Sequence, residues 1–207
     1  MRIVSWNVQG LGGLLYKRMR GRLRLELQNV LVGGPIDVLL LQEHHLNQRR
    51  CASYGSILQG EWLTFWSAGI GTFGSNAGVC ISVKARWKED ILQYSEIIPG
   101  RAQFVLSRVK DVQFRCLNVY APNRVAERIE FWSYLSDVLP NVDSWCIARD
   151  FNMIENLGDR KDGGQTLIHG EELACWERLC FKCGIMDAWY SPSVMKLANS
   201  LALSRSD

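Results

Sequence analysis

Trp145-Cys146-Ile147-Ala148-Arg149-Asp150-Phe151-Asn152 is the stretch whose reading decides the fold. A short apolar run bounded by polar residues reads as a buried strand. This one ends in an acid, an aromatic and an amide. Side chains alternate along a strand, so Asp150 and Asn152 are expected on one side and Phe151 on the other. A carboxylate is costly inside a core unless it is paired or bound to metal. At the rim of a sheet, beside a phosphate or a cation, the same acid and amide are useful.

Other strands end in the same way. Arg2–Val8 is the first, with Asn7 at the head of a glycine-rich exit, Asn7-Val8-Gln9-Gly10-Leu11-Gly12-Gly13. Asn7 alone reads equally as a turn residue. Asp37–Glu43 is almost continuously apolar, as a central strand is, and delivers Gln42 and Glu43. On its own, Glu43 reads either as the start of a surface loop or as a second acid for the same rim. Phe114–Tyr120 must stop before Pro122, which cannot donate to a central ladder. Further strands are read at Gly78–Val83 and Gln103–Val109, with Asp111 turning the latter into Phe114.

Helical spacing marks Glu127–Leu139, through Ile129, Trp132, Leu135 and Leu139, and Glu171–Cys183, capped by Gly184. An earlier helix carries Leu23, Leu27, Val30 and Leu31 and stops at Gly33-Gly34-Pro35. Lys17, Arg18, Arg20, Arg22 and Arg24 open that helix. Such a run is usually a solvated face; here it is also a candidate phosphate contact. Residues 51–75 read as irregular, with Trp62, Phe65, Trp66 and Phe73 serving core and edge packing. His44 and His45 read as an exposed loop pair. Two last strands are expected at Ile185–Trp189 and from Leu201 to Arg205.

Composition sets the bounds. With 207 residues, 47% hydrophobic and 22% charged, the chain is expected to be one globular domain spanning 1–207. The net charge of +3 is compatible with an anionic partner. Seven cysteines are an odd number at no framework spacing. Met1-Arg2-Ile3-Val4 enters a strand at once, so no signal peptide is read. Reduced thiols in the nucleus or cytoplasm are the expectation. No apolar run approaches a membrane-spanning length, and no membrane association is expected. Cys175, Cys180 and Cys183 with His169 fit no zinc spacing and read as a thiol-rich helix face.

Asn7, Glu43, Tyr120 and the Asp150/Asn152 pair, each at a strand end, have the composition a divalent metal and a phosphate need. Mg²⁺ takes one or two carboxylates and keeps several waters. Amide and phenol groups hydrogen-bond phosphoryl oxygens, and a second carboxylate aligns a water or takes its proton.

In this order the motifs resemble those of the endonuclease/exonuclease/phosphatase superfamily, with its deoxyribonuclease-I-like fold. They are most similar to the endonuclease domains of plant-type non-LTR retrotransposons. The matching stretches are Ser5-Trp6-Asn7-Val8-Gln9-Gly10-Leu11, Leu41-Gln42-Glu43, Leu117-Asn118-Val119-Tyr120-Ala121-Pro122-Asn123 and Asp150-Phe151-Asn152-Met153. Weaker ones are Pro99-Gly100-Arg101-Ala102 and Gly184-Ile185-Met186-Asp187-Ala188-Trp189. The resemblance implies a four-layer α/β-sandwich, two mostly antiparallel sheets face to face with helices outside. It implies phosphodiester hydrolysis on DNA with Mg²⁺ or Mn²⁺, by a monomer. Carried over, Glu43 and Asn7 would hold the metal and Tyr120 would orient the phosphate. Asp150 would position or deprotonate the water or serve the leaving group, and Asn152 would fix Asp150 and the phosphate. Arg18, Arg20 and Arg22 are the candidate nucleic-acid contacts.

Two departures stand out. Arg149 occupies a position where the family has glycine, and the family's terminal Ser-Asp-His motif is not in the sequence. The expectation is therefore a sandwich lacking its last strands, of low stability and impaired catalysis. Alternatives are a phosphatase or lipid phosphodiesterase on the same scaffold, or a non-catalytic nucleic-acid-binding remnant.

Overall fold

Strand β2 (Val38–Gln42) is buried at every residue, because both its faces are covered. Val38 and Leu40 face a second sheet, in a cluster with Ile81, Val83, Val105 and Cys116. Leu39 and Leu41 face the other way, toward Cys51 and Tyr54 of a helix. A strand covered on both sides cannot show polar alternation, hence its continuous apolar run.

A computed structural model describes residues 1–11, 36–58, 60–69, 77–109, 111–141, 145–153 and 169–185. The helix read around Leu23, the basic run with Arg18, Arg20 and Arg22, and both expected last strands beyond Ile185 lie outside the described residues.

The first sheet has the order β1-β2-β4-β3 and the second β5-β6-β7-β8. In the first, β1 (Ile3–Asn7) runs parallel to β2, while β3 (Trp62–Ser67) and β4 (Val79–Lys84) are antiparallel neighbours. In the second, β5 (Ile91–Ile98), β6 (Ala102–Val109) and β7 (Val112–Tyr120) form an antiparallel meander, with β8 (Trp145–Asp150) added in parallel to β7. Both sheets are thus mixed. Helix α1 (Gln48–Leu58) covers the first sheet; α2 (Val125–Val138) and α3 (Gly170–Lys182) cover the second. Helix, sheet, sheet and helices make the expected four layers.

The outer core of the second sheet is aromatic. Trp132 of α2 meets Phe151 and Trp176 edge to face, at ring separations of 5.4 and 5.0 Å. Trp145 meets Phe104 at 5.3 Å. Such edge contacts suit the ring quadrupoles and add to the area term. Arg128 of α2 and Glu172 of α3 form a buried ion pair, and Arg128 also donates to the carbonyls of Pro122 and Asn123. The pair ties both helices to the loop that follows β7. Helix α3 ends as Gly184 predicts: it lies at φ 61°, and the Ile185 amide donates to the Cys180 carbonyl at 2.9 Å, a Schellman closure. Cys175, Cys180 and Cys183 pack on the same helix core.

Three expectations need correction. Residues 51–75 are not irregular throughout, since most of α1 and all of β3 fall among them. His44 is fully buried rather than exposed. Strand β8 ends at Asp150, so strand alternation does not set the direction of Asn152. No helix among the described residues is long and apolar enough to cross a membrane.

Candidate active site

The two parallel pairs end at one rim. Asn7 lies beside Gln42 at the ends of β1 and β2, and Tyr120 beside Asp150 at the ends of β7 and β8. Between the sheets, just below the rim, the Gln42 amide donates to Asn118 Oδ1 at 2.6 Å. Asn118 in turn donates to the carbonyls of Leu41 and Cys80, each at 2.9 Å. Both amides are fully buried. A buried amide is tolerated only when its bonds are made, so this bridge fixes the register of one sheet on the other.

Above the bridge the candidate residues meet across the sheets. Asn7 Nδ2 donates to Asp150 Oδ2 at 2.5 Å. The Tyr120 hydroxyl donates to Glu43 Oε1. Asn152 donates through its backbone to Asp150 Oδ1 at 3.2 Å and through its side chain to the Ala121 carbonyl at 2.7 Å. All five predicted rim residues, Asn7, Glu43, Tyr120, Asp150 and Asn152, therefore come together, although Asn7 and Asp150 lie 143 residues apart in sequence. Asn7 is also the turn residue it could have been, since its Oδ1 accepts the Gln9 amide at 3.0 Å. The two readings of Asn7 are compatible because its carbonyl and amide ends do different work.

Backbone conformation marks the same place. Among the described residues, left-handed φ values outside glycine occur at Gln9, Glu43, His45 and Asn152, between 48° and 54°. Each follows, or closely follows, a strand that ends at the rim. Such conformations are disfavoured for L residues and persist where surrounding contacts fix them. For Asn152 the contact is the Asx-type bond from its amide to Asp150.

His44 fixes Glu43. Its Nδ1 accepts the Leu46 amide at 3.0 Å, so its Nε2 carries the proton donated to the Ser67 carbonyl at 3.1 Å. The ring lies flat on Gly78, where a Cβ would come within 2.4 Å of it. Burial pushes the His44 imidazole down to about 4, with His45 adding to the effect. The unfolded imidazole titrates near 6.5. The unfolded chain therefore binds the proton first as pH falls. This contribution to stability is complete above about pH 6.5 and is lost towards about pH 4, to an extent of about 3 kcal/mol. Urea unfolding at stepped pH is expected to show that loss, and His44→Gln, which has no imidazole, is expected to flatten it. An equally steep profile in the variant would remove His44 as the cause.

Arg101 closes the far side. Its guanidinium carbon sits 5.0 Å from the centre of the Tyr120 ring, and the Tyr120 amide donates to the Arg101 carbonyl at 2.8 Å. Burial first, then the Glu43 carboxylate, push the Tyr120 phenol up to about 12, against a lowering from Arg101. Tyr120 is thus a hydrogen-bond donor throughout the physiological range. Gln42, Asn118, His44 and Arg101 were not singled out as site groups in the sequence. For Asn118 the signal was present, as an amide inside an apolar run.

The fold recurs in solved structures. An AP endonuclease from Leishmania major superposes with a TM-score of 0.71 at 18% identity, over 90% of this chain and 68% of that one. The fold is deoxyribonuclease-I-like. Another protein of this deoxyribonuclease-I-like fold is a Neisseria 3' phosphatase bound to product DNA hairpin. It superposes with a TM-score of 0.62 at 21% identity, over 88% of this chain and 71% of that one. No family model matches. In sequence, the chain is 29% identical over 134 residues to the transposon TX1 uncharacterized 149 kDa protein of Xenopus laevis, across 61% of this chain. It spans only 10% of that relative's length.

Proposed function

We propose that this chain is a metal-dependent phosphodiesterase domain that cuts DNA, of the type carried by retrotransposons. The observation that carries the reading is the convergence of Asn7, Glu43, Tyr120, Asp150 and Asn152 on one rim, in hydrogen-bonded pairs drawn from both sheets. The TX1 transposon relative supports the retrotransposon assignment, and the phosphatase bound to product DNA supports DNA as substrate.

The donor set fits a hard, hydrated cation. No group of three His, Cys, Asp or Glu side chains that could cage a metal occurs among the described residues. Glu43 supplies a carboxylate with one oxygen held by Tyr120, and Asn7 supplies an amide oxygen nearby. One or two carboxylates beside substrate phosphate is how Mg²⁺ is usually bound, since it dehydrates reluctantly. Glu43 and Asn7 would hold it, and when bound it supplies Lewis-acid stabilisation of charge on the phosphate.

The chain's own groups do the rest. Tyr120 keeps its proton, and its single O–H would turn from Glu43 to a phosphate oxygen when substrate is bound. Asp150, held by Asn7 and Asn152, presents a carboxylate to the attacking water and accepts its proton. Asn152 orients Asp150 and the phosphate together. His44 is spent on Leu46 and Ser67, and His169 lies exposed at the start of α3, so neither serves as the imidazole that the terminal motif supplies in similar proteins.

The direct test is nicking of supercoiled plasmid with Mg²⁺, with EDTA, and by Glu43→Ala. Mg²⁺-dependent nicking lost in the variant supports the reading; nicking that ignores both EDTA and the variant sinks it. The Neisseria neighbour is a 3' phosphatase, so a 3'-phosphorylated oligonucleotide and sphingomyelin belong in the substrate panel. Faster release from either than from plasmid would move the assignment to phosphatase or lipid phosphodiesterase. The basic run supplies a further expectation. Arg18→Ala/Arg20→Ala/Arg22→Ala together should weaken binding to unrelated DNA sequences alike. Each phosphate left without its arginine should reduce the slope of log K against log salt by about 0.7–0.9. An unchanged slope by fluorescence anisotropy would take these arginines out of the interface.

A further inference from the structure

Cys116 of β7 and Cys146 of β8 face each other in register across the parallel pair. Cys116 is fully buried in the cluster between the sheets, where Ala148, two residues beyond Cys146, also packs. Cys146 is exposed. The two side chains leave the same face of the sheet from paired positions, one on an exposed residue and the other buried beside it.

We propose that Cys116 and Cys146 are a dithiol modification site for hydroperoxides, whose disulfide shifts Tyr120 relative to Asp150. The dithiol stands on its own geometry; only its effect on turnover rests on the phosphodiesterase reading. In the first step the Cys146 thiolate attacks the terminal peroxide oxygen. The O–O bond breaks, the leaving oxygen takes a proton, and Cys146 becomes a sulfenic acid. In the second, the Cys116 sulfur attacks that sulfenic sulfur and loses its proton. An S–S bond forms, the S–O bond breaks, and water leaves. Two electrons pass from the thiol pair to one peroxide, and a dithiol reductant reverses the change.

Several features favour this pair over the other cysteines. The neighbouring Cys116 thiol lowers the Cys146 thiol from its usual range, which favours the nucleophilic thiolate there. Burial pushes Cys51 up to about 12 and raises Cys80 and Cys183 as well, which leaves those sulfurs protonated and slow. Spacing gives the bridge its consequence. Neighbouring strands lie about 4.8 Å apart, whereas a disulfide draws its Cβ atoms to about 3.5–4.5 Å. Closing the bond pulls β8 toward β7. Tyr120 and Asp150 end these same strands, paired with each other in the same register. At these ends the Ala121 amide donates to the Asp150 carbonyl at 2.9 Å, so its exchange reports any change in their separation.

The full chain is titrated with hydrogen peroxide near neutral pH, alkylated, and mapped by mass spectrometry without reduction. The expected product is a single Cys116–Cys146 disulfide, formed with loss of two thiols before other cysteines react and reversed by dithiothreitol. In Cys116→Ser the same dose is expected to leave Cys146 as a dimedone-trappable sulfenic acid. In Cys146→Ser, Cys116 is expected to stay reduced. Overoxidation of Cys146 without a bridge in the unaltered chain overturns the proposal, as does pairing scattered among the cysteines or resistance of Cys146 to peroxide. Hydrogen exchange at the Tyr120 and Ala121 amides is expected to differ between the oxidised and reduced chains; unchanged exchange overturns the coupling to the rim. Where nicking is measurable, oxidation is expected to change its rate by about 10- to 100-fold, the effect of a displacement near 1 Å. A disulfide that forms and moves Tyr120 in a chain that nicks in neither state sustains the dithiol and removes the phosphodiesterase reading instead.

Discussion

Asp150→Ala is expected to lower single-turnover nicking by about 10²–10⁴-fold while leaving the fold in place. The Asp150 carboxylate is where both halves of the rim are joined. It accepts from Asn7 of the first sheet and from the Asn152 amide in its own turn. Removing it deletes the proposed proton acceptor and releases the two donors that hold it. The stability loss is expected to be about 1 kcal/mol, because the residue sits at a half-exposed rim rather than in the core. Asp150→Asn sharpens the test. An amide keeps the shape, but one of its two ends is now a donor, and both contacts to Asp150 come from donors. It is expected to be nearly as inactive as the alanine variant. Either variant nicking within threefold of the unaltered chain, with the same urea midpoint, would falsify the role given to Asp150.

Glu43→Gln carries the second large effect, and it is separable from the first by a readout that needs no turnover. The amide keeps an oxygen for the Tyr120 hydroxyl, so the variant removes charge with little change of shape. Loss of the carboxylate weakens the hold on a hard cation, and the rate at a fixed low Mg²⁺ concentration is expected to fall by about 10²-fold or more. Part of that loss is expected to be recovered at high Mg²⁺. In parallel, the Tyr120 phenol is expected to titrate lower than about 12. The Glu43 charge and its preference for the protonated phenol are gone, while burial remains. A lowered Tyr120 titration with unchanged Mg²⁺ dependence would leave Glu43 as the partner of Tyr120 and take it out of the metal site.

The rim was legible because each of its groups interrupts a simple pattern. Asp150 and Asn152 end an apolar strand, Glu43 follows a continuously buried one, and Tyr120 stops ahead of Pro122. Strand periodicity says where chains end, and four ends with acid, amide or phenol imply a shared purpose. Elements whose pattern depends on tertiary context were not legible. Strand β5 departs from regular pairing between Ile91 and Gln93 and again between Glu96 and Ile98, which breaks the period-two signal. In β3, Trp62 and Trp66 pack toward α1 while Phe65 stacks on Tyr94 across the sandwich, so aromatics fall on both faces. His44 looked like half of an exposed pair. Its burial depends on Gly78, far along the chain, lacking a side chain. Nor could strand alternation place Asn152, because a left-handed turn had replaced the strand there.

The buried amide bridge between Gln42 and Asn118 has a consequence for how this molecule breathes. It lies one residue before Glu43 on one side and two before Tyr120 on the other, and it spans the only layer boundary that the rim straddles. Opening the sandwich far enough to separate Glu43 from Tyr120 requires both amides to come free together, from positions fully buried from solvent. The amide hydrogens of β2, β4 and β7 are therefore expected to exchange with solvent in one slow, concerted event. The rim groups inherit the slowness of that event, as fittings bolted to the stiffest joint in the frame.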